Sequence, residues 1–293
     1  MKSIGGELKE HSIRVDGLAL KAYETGEPGG QQVVLAHATG FHAGCWSKVI
    51  DQLPSDLHVF ALDARGHGQS ESSEYVTWGR HAKDVIEVLD ALNVQDAIAV
   101  GHSMGGHCVA HACGLRPDLF SRLVLIDPVI FAREAYREPE AFYASIDEHP
   151  VARRKERFDS WEAFRDRLKQ RHPYTLWVPE ILDDYCRGGV TPAEDGNGVV
   201  LACPARVEAA VYMGNFDTDI YPVIGGIEQP VQVLRAPTAN LEAPEMDFAA
   251  SPTWPELWRE FPKGEDFYLS DLTHFIPMQD PGLVARFIVG GGA

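Results

Sequence analysis

A serine framed as Gly101-His102-Ser103-Met104-Gly105 is where residue type and spacing first point to chemistry in this chain. A serine hydroxyl attacks poorly until a turn presents it and a neighbouring base takes its proton. A GxSxG sequence meets the first need when it joins a strand to a helix. The apolar run at residues 97–100 precedes this one, and Met104, Cys108, Val109, Ala112 and Cys113 follow on a helical stripe. The flanking glycines let the backbone turn without steric clash, and a helix N-terminus there stabilises nearby negative charge. The plainer alternative is a glycine-rich turn with an incidental serine. A base is available late in the chain, where Asp271-Leu272-Thr273-His274-Phe275 follows the last strand pattern. An imidazole ionises near neutrality and can take the serine proton. His107 and His111 are spaced i,i+4 but have no third ligand within reach in the sequence. They are expected to pack or lie at the surface, with no metal and no cofactor implied.

Several elements must position these residues. Residues 11–24 predict two strands joined at Asp16-Gly17, a tight-hairpin pair. Short apolar runs at 33–36, 58–62, 97–100 and 123–126 suit strands buried on both faces. Trp78, Ala82, Val85, Ile86, Leu89 and Leu92 form one stripe of an intervening helix. This alternation predicts an α/β fold, a mostly parallel sheet with helices on both faces. It lapses after Pro128 and resumes at 230–234 and 266–269, before a closing helix from 281 to 289. The gap far exceeds a structureless loop of about 12–15 residues. Residues 129–228 are therefore predicted to be an inserted, mainly helical cap on a core of residues 1–128 and 229–293. Within the cap, Asp159 and Glu162 are spaced as a capping box ahead of Trp161, Phe164 and Leu168.

Further motifs sharpen the comparison. His37-Ala38-Thr39-Gly40-Phe41 follows the run at 33–36, Trp46 comes nine residues after His37, and Asp63-Ala64-Arg65-Gly66-His67-Gly68 follows the run at 58–62. With GxSxG and the late histidine, the chain resembles the α/β-hydrolase superfamily, in its capped esterase, lactonase and perhydrolase branch. The resemblance covers residues 11–128 and 230–289. It implies Ser103 as nucleophile and His274 as base, in the chain order serine, acid, histidine. It also implies an oxyanion hole from the backbone N–H groups of Thr39 and Met104, with Phe41 lining an acyl pocket. His102, Trp177 and Phe275 are further pocket candidates. His67 is implied to be architectural. Ala38 stands where the family usually has glycine.

The acid departs from the family's common position, which falls near Asn240, a residue that carries no charge. Asp127, 24 residues after Ser103, matches the branch that places the acid at the end of the sixth strand. Leu-Ile-Asp-Pro also occurs in this fold with a merely structural aspartate, and Glu242 is the other carboxylate in reach. Serine at the elbow excludes chemistry that needs an aspartyl ester. The expected reaction is hydrolysis of esters or lactones with small to medium, largely apolar acyl groups. Two alternatives stay open: carbon–carbon bond hydrolysis of ring-cleavage products, and a hydrolase-fold protein that binds a ligand with little turnover.

Composition narrows the partners. Lys and Arg number 26 against 43 Asp and Glu, a net charge of −17. Such a surface repels phosphate backbones and anionic lipid, so the expected partner is a small-molecule ester or lactone, not nucleic acid or membrane. Five cysteines without CxxC spacing argue for neither a disulfide framework nor a zinc site. The start shows no secretory pattern and no apolar run nears the roughly 18 residues of a membrane span. A cytoplasmic location is the expectation.

Overall fold

The computed structural model describes residues 8–73, 77–137, 145–238 and 249–291. The chain builds β1 (Lys9–Val15), β2 (Leu18–Gly26), β3 (Gln32–Ala36), β4 (His58–Asp63), β5 (Ala97–His102) and β6 (Phe120–Ile126) in turn. A long insertion then carries β7 (Arg157–Phe158), β8 (Val190–Pro192) and β9 (Val199–Leu201) before β10 (Val231–Arg235) and β11 (Gly264–Tyr268). Among the described residues, eight strands form the main sheet in the order β1-β2-β4-β3-β5-β6-β10-β11. The β1–β2 and β2–β4 pairs are antiparallel and every other pair is parallel. The fold is thus the mostly parallel α/β sheet that the alternation predicts.

Side-chain alternation explains why the central strands are apolar throughout. Val33 and Leu35 of β3 join one buried layer, and Val34 and Ala36 join the other. The same split separates Leu123 and Leu125 from Val124 and Ile126 in β6. Successive side chains point to opposite faces, and both faces are covered. The helices Trp78–Ala91 and Met104–Leu115 cover one face. Trp46, Val49, Ile50 and the final helix Pro281–Ile288 cover the other. Each fully buried Leu, Ile or Phe in these layers is worth about 1.5–3 kcal/mol. The hairpin between β1 and β2 turns at Asp16 and Gly17, both at positive φ (50° and 82°), the pattern of a type I′ turn.

The segment between β6 and β10 contains the small antiparallel sheet β7-β9-β8 and the helices Trp161–Leu168, Pro179–Gly188 and Ala205–Met213. The first of these helices is capped by Ser160, whose hydroxyl accepts from Ala163 N–H at 3.3 Å. Asp159 lies one residue too early for the capping box that the spacing predicts, because helical geometry begins at Trp161. The segment's last residues, Ile220, Tyr221, Ile224 and Ile227, pack into the sheet's own core. Among the described residues, no helix is long and apolar enough to cross a membrane.

Candidate active site

The carboxyl ends of β3, β5, β6, β10 and β11 open onto one edge of the sheet, where parallel α/β folds bind their ligands. Ser103 stands between β5 and the helix Met104–Leu115 with φ 56° and ψ −119°. A non-glycine residue in the positive-φ region is strained and needs its surroundings to hold it. Ser103 N–H donates to Ile126 O at 3.0 Å, and Ser103 O accepts from His107 and Val129 N–H, both at 3.2 Å. The neighbouring glycines serve close approach. A Cβ on Gly105 would lie 2.2 Å from Ala36 O, and one on Gly101 would lie 2.4 Å from Gly105 O. The serine itself makes the unusual turn, and the glycines let β3 and the helix come near enough to fix it.

His274 lies in the loop after β11, anchored by its N–H to Ala249 O at 2.7 Å. Its Nε2 is 3.0 Å from Ser103 Oγ, and its Nδ1 is 2.6 Å from Asp127 Oδ2. Asp127 directly follows β6, is fully buried, and also adopts positive φ (43°). Its Oδ1 accepts from Ala236 N–H at 2.9 Å and from Ser251 O–H at 2.7 Å. With both oxygens occupied by donors, the carboxylate favours the tautomer with hydrogen on Nδ1. Nε2 then accepts the Ser103 hydroxyl proton. The geometry joins Ser103, His274 and Asp127 in one line of hydrogen bonds. Asn240 and Glu242, the other positions considered for the acid, lie outside the described residues. Ser251 and Thr253, which flank Asp127, carried no signal in the sequence; Thr253 O–H donates to Pro128 O at 2.8 Å.

Thr39 follows the end of β3, and Met104 directly follows the serine. Met104 begins its helix, so its N–H has no partner within that helix. Thr39 sits in a turn closed by Phe41 N–H to Ala38 O at 3.1 Å, with Gly40 at φ 78° supplying the left-handed position of a type II turn. Alanine at position 38 is compatible with this turn, because Gly40 carries the positive φ. His37 braces it: Nδ1–H donates to Ala38 O at 2.7 Å, and Nε2 accepts from Ala64 N–H at 3.0 Å. Burial pushes the His37 pKa down to about 3, so the ring is neutral and can do both. Asp63 ties the adjoining loops by accepting from Ala43 N–H at 2.7 Å and Gln69 N–H at 2.8 Å.

Aromatic rings close over the line. Phe41 lies 5.6 Å from Trp177, 5.0 Å from Tyr185 and 6.2 Å from Phe275 between ring centroids. His102 packs edge-on to Phe41 at 6.1 Å, and its Nε2–H donates to His274 O at 2.8 Å. Burial, then the neighbouring His274, holds the His102 pKa well below the usual range. Phe41, His102, Trp177 and Phe275 therefore meet in one cluster, to which the structure adds Tyr185. The helix Pro179–Gly188 brings Tyr185 in, and Tyr185 O accepts from His42 Nε2–H at 3.0 Å. Of the other aromatics between β6 and β10, Tyr136 packs instead with Phe131, Phe216 and Tyr221 in the core. His107 stands edge-on to Trp78 at 5.0 Å and beside His111, within the core. Among the described residues, no three His, Cys, Asp or Glu side chains converge as a metal-binding set.

Known proteins resemble this chain in sequence and fold. Residues 32–171 match the family model of the alpha/beta hydrolase fold. An uncharacterized hydrolase of Bacillus subtilis (strain 168), YugF, is 39% identical over 276 residues, 94% of each chain. The 3-oxoadipate enol-lactonase 1 of Acinetobacter baylyi is 35% identical over 99 residues, 33% of this chain and 37% of that one. The crystal structure of E-2-(acetamidomethylene)succinate hydrolase superposes with a TM-score of 0.77 at 20% identity, covering 97% of this chain and 98% of that one.

Proposed function

This chain belongs to the α/β-hydrolase family, and on that premise we propose that it hydrolyses carboxylic esters or lactones through an acyl-enzyme on Ser103. The observation that carries this reading is the continuous line from Ser103 Oγ through both nitrogens of His274 to Asp127 Oδ2, at 3.0 and 2.6 Å. In the first half-reaction His274 Nε2 takes the hydroxyl proton as Ser103 Oγ attacks the carbonyl carbon. Asp127 stabilises the imidazolium that forms and keeps its tautomer fixed. The carbonyl oxygen becomes an oxyanion, held by the Thr39 and Met104 N–H groups; one such donor is worth about 3–4 kcal/mol. His274 then protonates the departing alkoxide, which for a lactone stays tethered to the acyl group. Water repeats the sequence, giving its proton to His274, and the acid leaves with Ser103 restored.

Residues 129–228 act as a lid in this reading. Their Trp177 and Tyr185 meet Phe41 and Phe275 from the core, so the acyl group enters a largely aromatic pocket. The enol-lactonase relative supports an ester or lactone carbonyl as the reacting group. The test is turnover of short-chain p-nitrophenyl esters and simple lactones by the wild type and by Ser103→Ala. The reading predicts turnover by the wild type and its loss in the variant. No turnover of any ester or lactone would favour a binding protein.

A further inference from the structure

Outside the line from Ser103 to Asp127, the inserted segment holds an ion pair of its own, with its carboxylate buried and its guanidinium partly exposed. Glu208, on the helix Ala205–Met213, is 5% exposed, and its Oε2 pairs with the Arg154 guanidinium. Its other oxygen presses on the turn that carries Thr39. A Cβ built on Gly40 would lie 2.4 Å from Glu208 Oε1 and 2.8 Å from the carboxyl carbon. The carboxyl group thus fills the volume where any other residue at position 40 would put its side chain. A lone buried carboxylate there would oppose negative charge developing nearby, and its own desolvation would be costly. Arg154 supplies the compensating charge.

The geometry points to the Glu208–Arg154 pair as a positioning device, in which Glu208 sets the Thr39–Gly40 turn and Arg154 silences the Glu208 charge beside the oxyanion. This rests on the reading of Ser103 as nucleophile and Thr39 as an oxyanion donor. The groups facing the pair are Tyr174, Tyr185, Cys203 and Tyr212, with His67 facing Arg154. Burial lifts all three phenols and the thiol, Tyr174 to about 12, and lowers His67 to about 3. These neighbours stay neutral across the usual assay range. Burial also pushes the Glu208 carboxyl upward, against the pull of Arg154. Removing Arg154 removes that pull, and Glu208 becomes the group that titrates.

The test is kcat against pH, from about 5 to 10, for three variants assayed beside the wild type. In Arg154→Met, kcat should fall about tenfold or more as the pH rises and the freed carboxyl ionises. Arg154→Met/Glu208→Gln should abolish that descending limb, because the amide keeps the shape without the charge. Arg154→Met/Glu208→Ala also buries no charge but loses the bulk against Gly40. Its kcat should lie about tenfold below that of the Gln double variant, with KM changed less than about twofold. The double variants bury no unpaired charge, so they fold even where Arg154→Met does not. A wild-type alkaline profile in folded Arg154→Met, or equal kcat in the two double variants, would overturn the proposal. Ser103→Ala separates the two levels. If it loses turnover while the pair variants behave as wild type, only this inference falls; if it keeps turnover, the underlying reading falls with it.

Discussion

Acid should unfold this protein through its buried histidines. His37, His67, His81 and His107 are all at most 3% exposed, and burial is the largest cause holding each pKa near 3. In the unfolded chain the same rings titrate near 6.5. Their stabilising contribution is therefore complete above about pH 6.5 and is lost as the pH falls toward about 3, since only the unfolded chain binds these protons. At pH 5 each ring favours unfolding by about 2 kcal/mol relative to pH 8, or about 8 kcal/mol for the four. Domains have about 5–15 kcal/mol in total, so the loss is comparable to the whole stability. His37 shows the structural cost: protonating Nε2 destroys the acceptor that holds Ala64 N–H. The assay is urea unfolding followed by circular dichroism at half-unit pH steps. Between about pH 6 and 4.5 the slope of stability should correspond to at least about three protons taken up on unfolding, the share of these four rings, with the buried His102 adding to it. An uptake of one proton or fewer over that window would refute the argument.

Other outcomes follow from particular contacts. Asp127→Asn keeps acceptors for Ala236 N–H and Ser251 O–H but presents an amide to His274 Nδ1; kcat should fall by about 10⁴ with the fold intact, and a drop under tenfold in steady-state kinetics would remove Asp127 from the chemistry. Glu242→Gln, assayed beside it, should be close to silent. Trp177→Ala should change the ratio of kcat/KM between short and long acyl esters, by about 1–3 kcal/mol per methylene accommodated; an unchanged acyl-length profile would place the pocket elsewhere. Gly105→Ala drives a Cβ to 2.2 Å from Ala36 O and should cost about 3 kcal/mol or more, so an unaltered Tm in calorimetry would contradict the packing described.

Much of the sheet was legible because its strands are buried on both faces. The unbroken runs around Val34 and Val124 announce central parallel strands, and Asp16-Gly17 announces the hairpin. Ser103 was legible because GxSxG depends on neighbours a few residues away. The surroundings of Asp127 were not. Its donors Ala236 and Ser251 are 109 and 124 residues distant and have side chains of no special type. Spacing alone therefore put Asp127 ahead of Glu242, but near even between a catalytic and a merely structural aspartate. The insertion was harder still. β7 has two residues and β8 and β9 three each, too short for a period of two to register. Glu208 and Arg154 carry no signal in the sequence, and only the approach of Glu208 to Gly40 distinguishes the pair.

In the proposed reaction Ser103 Oγ, activated by His274, forms the covalent intermediate. This step is tested most directly by reacting the protein with a fluorophosphonate and locating the adduct by peptide mass spectrometry. One adduct is expected, on Ser103, with ester turnover lost in step with labelling. His274→Ala should slow both together, and Ser103→Ala should take no label and lose up to about 10⁶ in kcat. Turnover that survives complete labelling, or a folded Ser103→Ala variant keeping a tenth of wild-type turnover, would contradict it.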